Sequence, residues 1–206
     1  MNINDINKSL AVTGHRPNKL WGYNYNEPHW VRLKEMFKQI LISRGIEDAF
    51  SGMALGVDMV FAMAVIEIKD AGYNIRLHAA IPCGNQCGRW PASSQELYFK
   101  LLSRADTITG MSEDKGHVSL CLCTVLNNNT HKNDYVLLLD CGMFDMSFVY
   151  TQPYTKQIMQ VRNCYMVDNV SQVVAVWDGS GGGTKNCVDY AKSMNRDLTI
   201  INPIDV

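Results

Sequence analysis

The sequence has no run of eighteen or so apolar residues, the length a membrane-spanning helix needs. It has no excess of charge either: 19 Lys and Arg against 20 Asp and Glu give a net charge of -1. That balance argues against a surface dominated by attraction to nucleic acid or membrane, and leaves room only for a local basic patch. The opening MNINDINKSL lacks the basic start and apolar centre of a signal peptide, so the cytoplasm is the expected compartment. The well-spaced double Cys pairs of a structural zinc site are missing as well. The 7 cysteines are odd in number; Cys83 and Cys87 stand four apart, and Cys121 and Cys123 alternate in a strand-like run. Reduced, buried or incidental thiols are expected, with no metal and no disulfide framework. Two phosphate signatures are also absent. No Gly-Lys-Ser/Thr closes the glycine run at 179–183, and no G-x-G-x-x-G follows the first strand, so neither a P-loop nor the dinucleotide fingerprint is present.

What is present is an ordinary globular balance, 47% hydrophobic and 19% charged over 206 residues. Such a chain can bury a full core without staples and favours one domain over 1–206. Short apolar strands are expected at 9–13, 48–51, 75–81, 106–109, 172–177 and 198–201. Helical spacing is expected at 27–44, where Trp30, Leu33, Phe37, Ile40 and Leu41 share a face, and at 56–70, 94–103, 155–167 and 184–194. Strands alternating with helices predict an α/β fold: a Rossmann-like, doubly wound, mostly parallel sheet with helices on both faces. An inserted β-hairpin is expected at about 113–150, where GHVSLCLCTVL and DYVLLLDCGMF flank the polar NNNTHKN. It either extends the main sheet or forms a dimer arm, with a lid as the remaining alternative. The nearly all-apolar 56–70 helix and this hairpin together predict a homo-oligomer, most simply a two-fold dimer.

Sheets of this kind bind ligands outside the carboxyl ends of their strands. The segments following the strands are therefore the candidate site. In W-D-G-S-G-G-G-T, Asp178, Gly179, Ser180, Gly181, Gly182, Gly183 and Thr184 join a strand to a helix. Glycines let backbone N–H groups approach an anion, and the helix N-terminus favours negative charge, so phosphate is the expected guest; a plain tight turn is the alternative. In T-G-H-R-P, Gly14 precedes His15, an acid, base or sugar contact, and Arg16, a bidentate partner for phosphate. Trp21 follows closely. The alternative has Arg16 pairing with a local Asp and His15 packing. In S-G-M-A-L-G-V-D, Gly52, Met53 and Gly56 shape a turn, and Asp58 either favours the helix dipole or touches a ribose. In I-P-C-G-N-Q-C-G-R-W-P, Asn85 and Gln86 can read a base edge and Trp90 can stack. Arg162 and Asn163 are polar within an otherwise apolar helix.

Taken together and in order, T-G-H-R-P, G-M-A-L-G-V-D, I-P-C-G-N-Q with W-P, R-N-C-Y-M-V-D and W-D-G-S-G-G-G-T resemble the YpsA-like branch of the SLOG superfamily, over about 9–111 and 155–204. The 113–150 region departs from the shorter connection usual there. The resemblance implies a Rossmann-like pocket for nucleotides or nucleotide-derived ligands, ADP-ribose-like signals among them. LOG-type phosphoribohydrolases of the same superfamily carry P-G-G-x-G-T-x-x-E with a catalytic glutamate. Cys187 occupies that position here, and a thiol cannot replace a carboxylate that stabilises an oxocarbenium-like centre. DprA-like relatives bind single-stranded DNA, a reading that the neutral net charge does little to support. The expectation is a small-molecule binding module, sensing or sequestering, with no cofactor of its own. The rival is a hydrolase acting on an N-glycosidic or phosphate bond through Asp58, Asp168 or Asp178, and a nucleic-acid module is the third reading.

Overall fold

In the computed structural model, residues 6–113, 116–127, 132–139 and 149–206 are described. The strands are β1 (Ser9–Gly14), β2 (Asp48–Ser51), β3 (Arg76–Ile81), β4 (Thr107–Ser112), β5 (Gly116–Asn127), β6 (Lys132–Leu139), β7 (Gln172–Val176) and β8 (Asp197–Ile201). The central strands β1, β2, β3, β4 and β7 are short and largely buried, the pattern a parallel sheet needs when helices cover it from two sides. Among the described residues the strands form one sheet in the order β6-β5-β4-β3-β2-β1-β7-β8. From β4 through β8 every pairing is parallel. The α/β Rossmann-like fold expected from the alternation is the one observed.

The helices are α1 (Pro28–Ser43), α2 (Val57–Asp70), α3 (Ala92–Leu102), α4 (Lys156–Asp168) and α5 (Gly183–Ser193). Leu10, Val12, Leu77 and Ala79 point into one core with residues of α1 to α3. Ala11, Phe50, Ala80 and Val173 point the other way, toward α4 and α5. This is the period-two alternation of strands sorting side chains between two layers. No helix among the described residues is long and apolar enough to cross a membrane.

Two features refine the expectations. Helix α2 is apolar all round because α1, α3 and the sheet enclose it; Met59, Val60, Phe61, Ala64 and Val65 are at most 1% exposed. It therefore gives no support to a dimer, and that half of the sequence argument falls. The β5–β6 hairpin extends the main sheet, because β5 pairs antiparallel with β4 over Ile108↔Leu120 to Ser112↔Gly116. Beyond Leu120, among the described residues, β5 pairs with β6 alone, out to Asn127↔Lys132.

The two neighbours of β1 are β2 and β7, reached by connections that leave in opposite directions. Such a reversal opens a crevice at the carboxyl ends of the strands.

Candidate functional site

The crevice is a cleft of ≈ 1760 Å³. Gly14, His15 and Arg16 enter it from β1, Asp58 from α2, Asn85, Gln86 and Trp90 from the β3–α3 loop, Arg162 and Asn163 from α4, and Gly181 to Thr184 from the β7–α5 loop. Five of its lining residues are cationic, namely Arg16, Lys19, Arg89, Lys156 and Arg162, against the single carboxylate of Asp58. A chain of nearly zero net charge thus gathers positive potential at one edge, and a concave wall concentrates it further. Arg16 is exposed there, and among the described residues it makes no ion pair.

The β7–α5 loop divides into an anchored half and an open half. In the first, the His15 Nε2–H donates to Asp178 Oδ1 at 2.7 Å, and the Ser180 N–H donates to the same oxygen at 2.8 Å. The Trp177 indole N–H donates to Ser180 O at 2.7 Å, and Lys19 Nζ to Ser180 Oγ at 3.2 Å. The Ser180 and His15 hydrogen bonds hold the Asp178 carboxyl far below the ordinary carboxylate range. In the second half, a Cβ added at Gly181, Gly182 or Gly183 would meet no heavy atom within 4 Å. Gly182 sits at φ 139 and caps α5 without a side-chain hydrogen bond. By contrast, α1 and α4 are capped by the side chains of Glu27 and Thr155. The first N–H groups of α5 are thus left to whatever enters the cleft.

Beneath this loop lies a buried charge pair. Arg162 is 7% exposed and Asp58 5%, with Nη1 and Oδ2 3.4 Å apart. Gly52 makes the pair possible, since a Cβ there would overlap the Arg162 guanidinium. Burial pushes the Asp58 carboxyl up, against the pull of Arg162. The pairing is incomplete: the Arg162 Nε is buried with no partner among the described residues. A buried, unpartnered donor is uncommon, and the Arg196 Nε, outside the cleft, is the other one among the described residues. Asn163 Nδ2 donates to Gly183 O at 3.4 Å, tying α4 to the glycine loop. Met53, at φ 54 and fully buried, holds the turn after β2 in the left-handed region that side chains rarely adopt. Gly56, at φ 94, opens α2 so close to the backbone that a Cβ would lie 2.8 Å from His15 O.

Several predicted residues have other work. Trp21 stacks on His29 at 5.3 Å and meets Trp30 edge-on at 4.8 Å, outside the cleft wall. The Gln86 amide donates to Gly52 O at 2.9 Å, and its carbonyl accepts from Tyr98 OH at 3.4 Å. Trp90 packs edge-on against Tyr98 and is 9% exposed. Asp178 and Asp168, two of the three carboxylates considered for hydrolysis, do not line the cleft; Asp168 accepts from Tyr190 OH at 2.9 Å instead. Cys187 is 1% exposed, and burial pushes its thiol up to about 11. Sequence reasoning missed Lys19, Tyr23, Arg89, Lys156 and the 150–154 wall. Arg89 stands beside the noted Trp90, a weak signal; the others carry none, because only folding brings them to this edge.

Comparison with known proteins agrees with this architecture. Residues 10–123 match the family YpsA, the YspA SLOG family. The uncharacterized SPbeta prophage-derived protein YoqJ of Bacillus subtilis (strain 168) is 26% identical over 170 residues, 80% of this chain and 83% of that one. A UPF0398 protein of Macrococcus caseolyticus (strain JCSC5402) is 31% identical over 111 residues, 52% of this chain and 60% of that one. Among solved structures, DNA processing protein A (DprA) from Streptococcus pneumoniae aligns over 94% of this chain with a TM-score of 0.53 at 13% identity. DNA processing protein A from Helicobacter pylori, whose structure concerns single-stranded DNA binding, aligns with a TM-score of 0.54, also at 13% identity over 94% of this chain. The chain spans 50% and 65% of those two proteins, so the likeness is one of fold. The family match covers β1 through most of β5, more than half of the 206 residues, and includes three of the five clusters that line or shape the cleft. The chain therefore belongs to the YspA SLOG family.

Proposed function

We propose that the cleft binds a nucleotide or nucleotide-derived ligand, an ADP-ribose-like molecule among the candidates, and that the protein acts as a sensing or sequestering module. The observation that carries this reading is the open half of the β7–α5 loop. Gly181, the cap residue Gly182 and the first helical residue Gly183 have free space where side chains would stand, at a helix N-terminus with no side-chain cap. Arg16 and Arg162 line the same cleft, so a phosphate there gains backbone donors and guanidinium charge together.

The test is calorimetric titration with AMP, NAD and ADP-ribose, followed by chromatography of the incubated ligand. Binding with unchanged ligand supports the module. Released base or phosphate supports the hydrolase, whose remaining carboxylate in the cleft is Asp58. Absence of binding to all three rejects the reading. The nucleic-acid alternative draws support from the five cations and from the fold shared with DprA. A short single strand would bind with an affinity that falls steeply as salt rises.

We also propose that the protein pairs two-fold through the β5–β6 hairpin, whose outer half has, among the described residues, only its own partner strand; two-stranded ribbons are marginal alone. Light scattering should give twice 23.2 kDa, and deletion of 118–140 should return the monomer mass. A full-length monomer overturns it.

A further inference from the structure

The base-reading residues expected from the sequence are largely spent on the fold. Gln86 has both ends of its amide engaged, and Trp90 turns its ring into Tyr98. A nucleobase in this cleft needs a different π-face. Two tyrosines lining it are open to solvent: Tyr23 at 52% and Tyr154 at 65% exposure.

They differ in how they are held. Tyr154 belongs to the segment that returns from the hairpin, and that segment is pinned from both sides. The Tyr150 N–H donates to Leu137 O of β6 at 2.8 Å. The Tyr150 hydroxyl donates to Met111 O at 2.6 Å and lies 3.1 Å from Pro82 O. The Gly84 N–H donates to Gln152 O at 3.0 Å, and a Cβ at Gly84 would overlap Tyr150 O. On the other side, Thr155 Oγ1 accepts the Ile158 N–H at 2.9 Å as the cap of α4, and donates to Glu113 Oε1 at 2.8 Å. Only Pro153 and Tyr154 lie between these anchors, and proline fixes its own φ. An exposed aromatic on a mobile surface is unremarkable; one held on a braced ledge beside a basic cleft is preorganised to stack.

We propose that Tyr154 is the base-stacking platform of the cleft, so that the ledge following the hairpin selects ligands carrying a nucleobase over ligands carrying phosphate alone. The inference rests on the nucleotide reading above. Every base offers a π-face, so the platform accepts different bases, while Lys156 on the same cleft wall supplies positive charge for the phosphates. The chemistry is shared by a free nucleotide and by a nucleotide within a strand.

The experiment titrates wild type, Tyr154→Ala, Tyr154→Phe and Tyr23→Ala with AMP, ADP-ribose, inorganic pyrophosphate and a short oligothymidylate strand, after thermal melts establish that each variant is folded. Tyr154→Ala should weaken base-bearing ligands about five- to a hundred-fold and leave pyrophosphate unchanged. Tyr154→Phe should retain affinity, because the ring remains. Which of the mononucleotide, ADP-ribose and oligothymidylate shows the loss identifies the source of the base. An equal loss for AMP and pyrophosphate, no loss at all, or a loss confined to Tyr23→Ala overturns the assignment. Wild type binding pyrophosphate as tightly as every base-bearing ligand overturns it too, while leaving the phosphate site standing. Wild type binding none of the four overturns the nucleotide reading and this inference together.

Discussion

The two edges of the same parallel sheet carry polar clusters of opposite character. At the amino edge, Asp48 is fully buried, accepting from His78 Nε2 at 2.6 Å and from Arg76 Nη2 at 2.7 Å. His78 Nδ1 is 2.8 Å from Thr107 Oγ1, and Asp106 accepts the Leu77 N–H at 2.8 Å. Asp48, Arg76 and Thr107 each open a strand, so the network stitches β2, β3 and β4 at one level. At the carboxyl edge, Arg162 has an unpartnered Nε, Met53 stands at φ 54, and three glycines face open space. One cluster satisfies itself, whereas the other leaves donors and positive charge over. Saturated polar networks specify a fold, whereas the carboxyl-edge cluster lies in the cleft proposed above to take a ligand.

That contrast can be broken by mutation. The largest effect is expected for Asp48→Ala, which strands His78 and Arg76 around an empty carboxylate position. Urea unfolding should show a loss of ~3 kcal/mol or more, the cost of breaking a buried pair. Ligand affinity of the folded protein should be unchanged, and an equal loss at both edges would erase the distinction. Next, Arg16→Ala should weaken nucleotide binding by ~1.5–3 kcal/mol, as for a hydrogen bond to a charged group, with little change in the melting temperature. A change below a tenth of a log unit in affinity would make Arg16 structural.

Titration should separate the edges in pH. Burial pulls His78 below the ordinary 6.5, against the opposing pull of Asp48. Arg76 already balances Asp48, so the neutral imidazole is the state the site holds. A base with a depressed folded pKa takes up its proton more readily when unfolded. Stability should therefore fall as pH drops below 6.5, with a slope of at most ~1.4 kcal/mol per pH unit, and His78→Gln should flatten it. Asp178 behaves as a depressed acid. Its contribution is present above the ordinary 3.8 and is lost only as pH falls below that, through its folded value. If His78→Gln left the slope above pH 5 unchanged, the amino-edge assignment would fail.

The smallest stability effect is expected at Gly183. Its φ is not left-handed and a Cβ has open space, so Gly183→Ala in the first turn of α5 should stabilise by ~0.4–1 kcal/mol. The same methyl group would stand where the proposed phosphate site needs the backbone, so nucleotide affinity should drop. Unchanged affinity would move the phosphate away from this loop. Gly182 is a poorer probe, because φ 139 strains any side chain there and confuses folding with binding.

Much of this was legible in the sequence. Apolar runs of four to six residues between helical periods predict the βα alternation, and the alternation dictates which loops gather at the carboxyl edge. T-G-H-R-P and W-D-G-S-G-G-G-T both follow strands that the alternation brings to this edge, and His15 and Asp178 meet there across 163 positions. What a side chain does on reaching that edge is a different matter. Local sequence does not distinguish Trp90 facing a ligand from Trp90 facing Tyr98, nor Gln86 reading a base from Gln86 holding Gly52. Nor does composition reveal where charge collects: a chain with net charge -1 turns five cations into one cleft because their elements converge there.

The sequence by itself determined the order of elements, the parallel centre of the sheet and the edge at which the cleft opens, because these follow from hydrophobic period and the handedness of crossovers. Only the tertiary structure decided that α2 is enclosed by its own chain, that Gly52 yields its space to Arg162, and that the segment returning from the hairpin supplies Tyr154 and Lys156 to the cleft wall. These are contacts between elements far apart in the chain. They are set by how layers pack and by which buried polar groups find partners, and neither is written in any local stretch of residues.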